Sequence, residues 1–388
     1  MFTDFVLNGQ GNGEVGRVLG EMRYEAGMLR PYIDSNGDRC VTINTGRLVM
    51  DNKTGDYVPK LAKVRIQDLQ SRGIFHPVFN ATSLRFRDWI EMDRVVIKAA
   101  RTRLRAWADL EAANSYGGFN AMGKMTLEYE AMSDPGSAVV DMDAIATGRN
   151  DSPLFNLRSI PLPITHSDFF FSERRLAISR NSTPLDTTMA EAAARRVAEM
   201  VEQTTIGVVT GVTYGTQSSG YGAHTGTSTV YGYTNFPNRL TKTNMTVPTG
   251  SNPEATVADF LTIRNTMYAQ GFYGPFRVYT STDWDAYLDN DYARLGGSNA
   301  NMTLRDRLRK IEGISDIIRL DFLTSTFTMI FVQMTSDVAR AINGMDITTV
   351  QWDEKGGMQH KFKVMCIKVP QLRYDYNGAT GILHATTA

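Results

Sequence analysis

Gly11, Gly13 and Gly16 have the spacing with which a dinucleotide-binding turn brings backbone amides against a pyrophosphate, and Asp34 or Asp38 falls about where an acidic ribose partner would stand. That chemistry needs a strand before the glycines and a firm helix after them, so that the helix N-terminus meets the anion. Phe5-Val6-Leu7 is a weak strand, Gly20 and Gly27 break the helix, and hairpins follow instead of a parallel crossover. Gly118, Gly123 and Lys124 fit most of a phosphate-binding loop, yet Met125 stands where Ser or Thr would hold magnesium. Asp34, Asn36 and Asp38 open like a calcium loop, but Arg39 replaces its glycine and Thr45 its final glutamate. A plain turn is the expectation there.

His166, Ser167 and Asp168 are consecutive, and in a strand they point alternately to opposite faces, which breaks a nucleophile relay. His76, His224, His360 and His384 have no ligand spacing, and the carboxylates form no readable acid–base pair. Cys40 and Cys366 are the only cysteines and lie far apart, so neither a disulfide framework nor a zinc site is expected, and two buried thiols in a reducing cytoplasm fit better. The sequence predicts no catalytic residue, no cofactor and no metal.

The elements that would have to position such groups are of another kind. The chain has 388 residues, 42% hydrophobic and 21% charged, with 41 basic residues balancing 41 acidic ones. A zero formal charge argues against a protein that holds nucleic acid by long-range attraction, and it permits self-association. No basic segment with an apolar core opens the sequence, and no apolar run reaches the roughly 18 residues of a membrane span, so neither a signal peptide nor a membrane partner is expected.

The strongest periodic segment runs from Thr188 to Gly207. Thr188 and Glu191 have capping-box spacing, Met189, Ala192, Ala193, Val197, Met200 and Val201 fall on one predicted stripe, and Gly207 can end the helix. Residues 1–81 read as an extended arm with small hairpins, in which Leu48-Val49-Met50 faces Tyr57-Val58. Residues 82–114 turn helical, with Ile90, Ile97, Leu104 and Trp107 as apolar weight. Lys98, Arg101 and Arg105 share one side of it, either as a solvated face or as a contact for a polyanion. Residues 115–165 read as a long two-stranded excursion: Leu127 and Tyr129 alternate with Glu128 and Glu130, and Phe155, Leu157 and Ile160 lie on the return strand. Such a hairpin is marginal alone and calls for a partner surface. From Gln203 to Asn238 no charged residue occurs, which fits a flexible linker or a Gly-rich sheet insertion. Beyond it, Ser251 and Glu254 can cap a helix, Thr282 and Thr303 can start two more, and strands are expected at 276–279, 314–320, 326–334, 347–352, 361–369 and 381–384. Helices and strands are segregated, so the fold class expected is α+β.

This order, from Trp89-Ile90-Glu91-Met92-Asp93 through Pro161-Leu162-Pro163, Phe169-Phe170, Arg174-Arg175, the 188–207 helix with Ala192-Ala193 and Ala198, Tyr273-Gly274-Pro275-Phe276, and Phe362, Pro370 and Gly381, resembles the Hong Kong 97-like shell proteins. That superfamily holds the tailed-bacteriophage major capsid proteins and the encapsulins. The resemblance implies an N-terminal arm (1–81), an arm helix (82–114), an extended loop (115–165), a peripheral domain with a long spine helix and a Gly/Thr-rich insertion (166–258), an axial domain (259–345) and a peripheral return (346–388). It implies a non-enzymatic major capsid protein that self-assembles into hexameric and pentameric capsomers around double-stranded viral DNA. Portal, scaffold and cement proteins would be further partners, with assembly in the host cytoplasm and the virion as location. Lys98, Arg101, Arg103 and Arg105 are the expected DNA-facing residues, and Met189, Ala193, Val197 and Met200 the expected spine packing. The alternatives are an encapsulin-type compartment and a nucleotide-binding enzyme built on Gly11–Gly16.

Overall fold

The computed structural model describes residues 30–50, 57–71, 86–101, 104–119, 121–132, 142–143, 155–181, 187–209, 211–214, 226–247, 249, 253–290, 302–375 and 377–387. In chain order, β1 (Tyr32–Ile33), β2 (Arg39–Met50) and β3 (Tyr57–Arg65) form an antiparallel sheet. The Asp34 carboxylate builds the first turn, accepting from the amides of Asn36 (2.8 Å) and Asp38 (2.9 Å) while pairing with Lys63. Its oxygens are therefore committed to a turn, as expected of the false calcium loop. Val49 pairs with Val58 and Met50 with Tyr57.

Then come β4 (Ser115–Gly117), the antiparallel hairpin β5 (Thr126–Met132) and β6 (Phe155–Pro161), and β7 (Thr165–Ser172). β8 (Gly211–Tyr214) and β9 (Gly226–Thr229) pair inside the uncharged tract, so part of it is sheet, between the end of the spine helix and a run of turns at 233–238. They are followed by β10 (Leu240–Met245), β11 (Phe276–Thr280), β12 (Ile314–Arg319), β13 (Met329–Gln333), β14 (Ala339–Glu354), β15 (Gln359–Leu372) and β16 (Ile382–Thr387).

Two sheets carry the body. One has the order β4-β14-β15-β7, the other β10-β16-β13-β11-β12. Strand pairing divides the chain differently from the boundaries expected at 258/259 and 345/346. β10 and β16 lie in one sheet with β11–β13, and β14, which starts at Ala339, lies in the other. The reason is closure: Leu383 on β16 sits opposite Phe331 on one side and Leu240 on the other, joining β10 to the central strand β13.

The spine helix spans Thr188–Ile206 and ends at Gly207 in the left-handed conformation (φ 102°). Its start differs from the expected capping box. Thr187 occupies the cap position without a side-chain bond, and the Glu191 carboxylate reaches forward to Arg195 at 3.5 Å. The buried face also differs. Ala190, Ala193, Ala194, Val197, Ala198 and Val201 are buried, whereas Met189 (48% exposed) and Met200 (41%) point outward, and Ala192 is exposed. Alanines line the inner face because the helix lies against the helix Phe86–Arg101 and strands β7 and β15, where small side chains allow close approach.

The segment expected as one helix over 82–114 contains two, Phe86–Arg101 and Arg105–Ala113, separated at Leu104 by a non-helical backbone (ψ 79°). The first buries Trp89, Met92 and Val96 and leaves Ile90 and Ile97 exposed. Phe169 stacks on Phe362 (5.3 Å), and Phe171 and Trp89 meet the same ring edge-on, joining β7, β15 and this helix in one core. A second core lies between the five-stranded sheet and the helix Pro253–Ala269, where Phe260 packs edge-on to Phe331 (5.1 Å). Ser251, expected to cap that helix, lies outside the described residues, as do Gly11, Gly13 and Gly16.

Candidate functional site

Among the described residues, the groups considered for catalysis do not assemble. His166 Nδ1 lies 3.3 Å from Asp168 Oδ1 on one exposed face of β7, and Ser167, between them, belongs to the other face. Residues Ala121–Gly123 form a single turn that leads into β5 rather than into a helix, so no helix N-terminus stands behind Lys124. Burial pushes the Cys40 thiol up to about 11 and the Cys366 thiol up to about 12, which keeps both protonated and poor nucleophiles. Among the described residues no group of His, Cys, Asp and Glu side chains is arranged to hold a metal ion, and no helix is long and apolar enough to cross a membrane.

What the fold builds instead is a joint. The short helix Arg105–Ala113 has no side-chain cap of its own. Its N-terminal amides at Ala106 and Trp107 donate to Glu202 of the spine helix, at 2.7 and 3.1 Å. Desolvation pushes the Glu202 carboxyl up to about 7, against the opposing pull of those backbone donors. One turn on, Asp109 accepts from Tyr279 (3.1 Å) and pairs with Arg277 (2.7 Å), both on β11. Burial raises the Asp109 carboxyl above its ordinary value, and Arg277 offsets part of that rise. Glu111 bonds Trp107 Nε1 (3.0 Å), accepts a short bond from Asn343 on β14 and lies 3.5 Å from Lys368 on β15. Through three carboxylates, one helix thus ties the spine to both sheets.

A second polar joint centres on His360, which is buried between two acids: Nε2 lies 2.5 Å from Glu173 and Nδ1 2.5 Å from Asp353. Sequence reasoning sees His360 only as a histidine without ligand spacing and passes over Glu202, since Glu173 and Ala106 are far away in the chain and Asp353 meets His360 across the β14–β15 turn.

The β5–β6 hairpin has two unlike faces. Leu127, Tyr129, Arg158 and Ile160 share the half-buried face of β5–β6, with Leu127 and Ile160 on the body's core and Arg158 stacked over Tyr374 at 3.6 Å. The opposite face carries Phe155 and Leu157, each 61% exposed, beside Glu128 and Glu130. Of the expected DNA-facing residues, Lys98 is exposed on the helix Phe86–Arg101, and Arg105 is exposed at the start of the joint helix. The Arg101 side chain and all of Arg103 lie outside the described residues.

A family profile matches residues 80–385, leaving only the leading arm and the last residues outside it. The chain belongs to DUF6260, a family of unknown function. Among functionally curated proteins none matches the sequence. Solved structures similar to this DUF6260 chain include the virus-like particle from Pyrococcus furiosus, at TM-score 0.52 and 14% identity over 77% of this chain and 98% of that one. The capsid of Myoviridae phage XM1 is similar at TM-score 0.48 and 14% identity, over 72% of this chain and 91% of that one. The α+β architecture of this DUF6260 member is the Hong Kong 97-like shell fold.

Proposed function

We propose that this chain is a major capsid protein whose copies assemble through hexameric and pentameric capsomers into an icosahedral shell around packaged double-stranded DNA. The observation that carries the reading is the β5–β6 hairpin on a Hong Kong 97-like body, with apolar side chains on both faces. Its inner face is used by its own subunit, and its outer face leaves Phe155 and Leu157 in water. Apolar side chains on a two-stranded ribbon gain stability when a neighbour covers them, and a closed symmetric assembly covers each copy in turn. The exposed Met189 and Met200 on the spine helix give the same chain further adhesive surface. The shell performs no chemical turnover in this reading, and its location is the virion, with portal, scaffold and cement proteins as additional partners and assembly in the host cytoplasm.

Negative-stain microscopy of the purified full chain tests this. Closed particles of uniform diameter are expected, and a monomer at every concentration and salt would sink the reading. The content of the particles separates the two shell types. Nuclease-protected DNA in particles from the native source fits a capsid, whereas a stoichiometric co-purifying enzyme fits an encapsulin-type compartment.

A further inference from the structure

A cleft of about 350 Å³ opens where the start of the joint helix meets the edge of the five-stranded sheet, and Arg105, Arg305, Arg309 and Arg319 line it with Asp285 and Asp316. The two carboxylates act as spacers for the guanidiniums. Asp285 offers one oxygen to Arg305 Nη2 (2.9 Å) and the other to Arg319 Nη1 (2.8 Å), so it holds two arginines side by side. Asp316 Oδ1 accepts from Arg309 Nη2 (2.6 Å) and from the amide of Ile317 (2.8 Å). Two further acids, Asp289 and Asp321, meet Arg305 and Arg319 at 3.0 and 3.2 Å through side chains that are more than half exposed, and neither lines the cleft. The Arg105 side chain has no carboxylate partner among the described residues. Each guanidinium carries five N–H groups in a planar fork, and the internal bonds of Arg309 and Arg319 occupy only some of them. Arg305 spends its three nitrogens on Asp289, the Ile317 carbonyl and Asp285, so it anchors Arg319 through the shared carboxylate, and the forks of Arg105, Arg309 and Arg319 match the oxygens of a tetrahedral anion in a way that scattered lysines do not.

We propose that this cleft binds a phosphate-class oxyanion, either a phosphodiester of a nucleic-acid strand or free phosphate. The site lies within one subunit and does not require the shell reading.

The experiment is calorimetric titration of the purified full chain at low ionic strength, with inorganic phosphate in one arm and a short oligothymidylate in the other. Arg105→Ala and Arg309→Ala are compared with wild type and with Arg196→Ala, which removes the same charge from an exposed position on the spine helix. One saturable site per subunit is expected, weakened about tenfold by either cleft variant, the loss that removing a charge-assisted hydrogen bond gives, and unchanged by Arg196→Ala. Saturation by phosphate alone assigns the free anion, and saturation by the oligonucleotide alone, or much tighter, assigns the phosphodiester. No saturation in either arm, or an equal loss with Arg196→Ala, overturns the proposal. Particle formation is scored separately by microscopy, so shells without anion binding reject the cleft and spare the proposed function.

Discussion

The Glu202 carboxylate closes the N-terminus of the helix Arg105–Ala113, accepting at 2.7 Å from the Ala106 amide, 96 residues earlier in the chain. A second bond, from Trp107 at 3.1 Å, uses its other oxygen. A buried helix end needs acceptors for its first amides, and here the acceptor is borrowed from the spine. Glu202→Ala leaves both donors without a partner in the core and should cost about 2 kcal/mol. Glu202→Gln keeps one carbonyl acceptor and should cost less than half of that. Urea denaturation at one fixed protein concentration measures both, and equal losses for the two variants would remove the capping role.

The same carboxylate predicts a pH slope. Burial pushes it up to about 7 in the folded chain from an ordinary value of 4.5. The folded state therefore binds a proton that the unfolded state has released, and stability falls as pH rises between those values. This contribution is complete below 4.5 and gone above about 7, on the order of 3 kcal/mol across the window. Glu202→Gln cannot titrate, so its stability relative to wild type should climb from pH 5 to pH 8. A flat difference between the two proteins over that range contradicts the assignment.

His384 on β16 should produce the opposite slope. Burial lowers its imidazole to about 4 from 6.5, with Arg239 adding to the shift, and its Nε2 is buried without a hydrogen-bond partner. The unfolded chain takes up the proton first, so the stability His384 contributes is present above pH 6.5 and lost as pH falls towards 4. The two windows overlap and oppose each other, so His384→Gln should unmask the Glu202 slope, and its stability relative to wild type should climb as pH falls from 7 towards 4. Denaturation midpoints between pH 4 and 7 check this, and an unchanged acid limb would place the proton uptake elsewhere.

These side chains also mark how far the sequence can be read. Period and turn chemistry expose the spine helix, its Gly207 stop, the arm hairpin and the helix start at Thr303, where the structure forms a capping box with Asp306, because each depends on residues a few positions apart. The phase of the spine's buried stripe departs from the expected one for a physical reason. Hydrophobicity weights Met189 and Met200 above Ala190, Ala194 and Ala198, whereas close helix contact selects small side chains. The pattern predicts only a short strand at 347–352 within β14 because Asn343, Gly344 and Asp346 interrupt its apolar run, although β15 pairs with it from Ala339 to Glu354 through register shifts between Asn343 and Thr348. Glu202 with Ala106, His360 with Glu173, and Arg105 with Arg319 are brought together by tertiary packing alone, which no spacing rule encodes.

Close packing at the end of the spine makes a glycine prediction. A Cβ on Gly232 would fall 2.4 Å from the Gly207 nitrogen and 2.5 Å from the Thr204 carbonyl oxygen, both backbone atoms that cannot rotate away. Tyr233 and Thr234 donate their amides to Thr205 and Ile206, so the two segments cannot separate without breaking that pairing. Gly232→Ala should cost on the order of 3 kcal/mol, at the upper end of overpacking effects. Gly211→Ala, where the added methyl meets nothing within 4 Å, is the control and should lie within about 0.5 kcal/mol of wild type. Thermal unfolding of the pair decides it, and similar melting points would mean that the Gly207–Gly232 contact yields easily.

The hairpin gives the prediction that separates folding from assembly. Phe155 and Leu157 stand opposite Met132 and Glu130 on the outer face of β5–β6, away from Tyr129 and Arg158, which fix the ribbon to its own subunit. Their exposure means that the isolated subunit gains little from them, so Phe155→Asp with Leu157→Asp should shift subunit stability by less than about 0.5 kcal/mol. Between subunits the same change buries two carboxylates that have no partner, a cost of several kcal/mol for each contact. Summed over the many equivalent contacts of a closed shell, that penalty should abolish particles while circular dichroism stays that of the wild type. Tyr129→Ala with Arg158→Ala should behave the other way, loosening the ribbon from its own body before any neighbour is involved. Particles that form normally from the double-aspartate variant would show that the outer face of the hairpin is not an assembly surface.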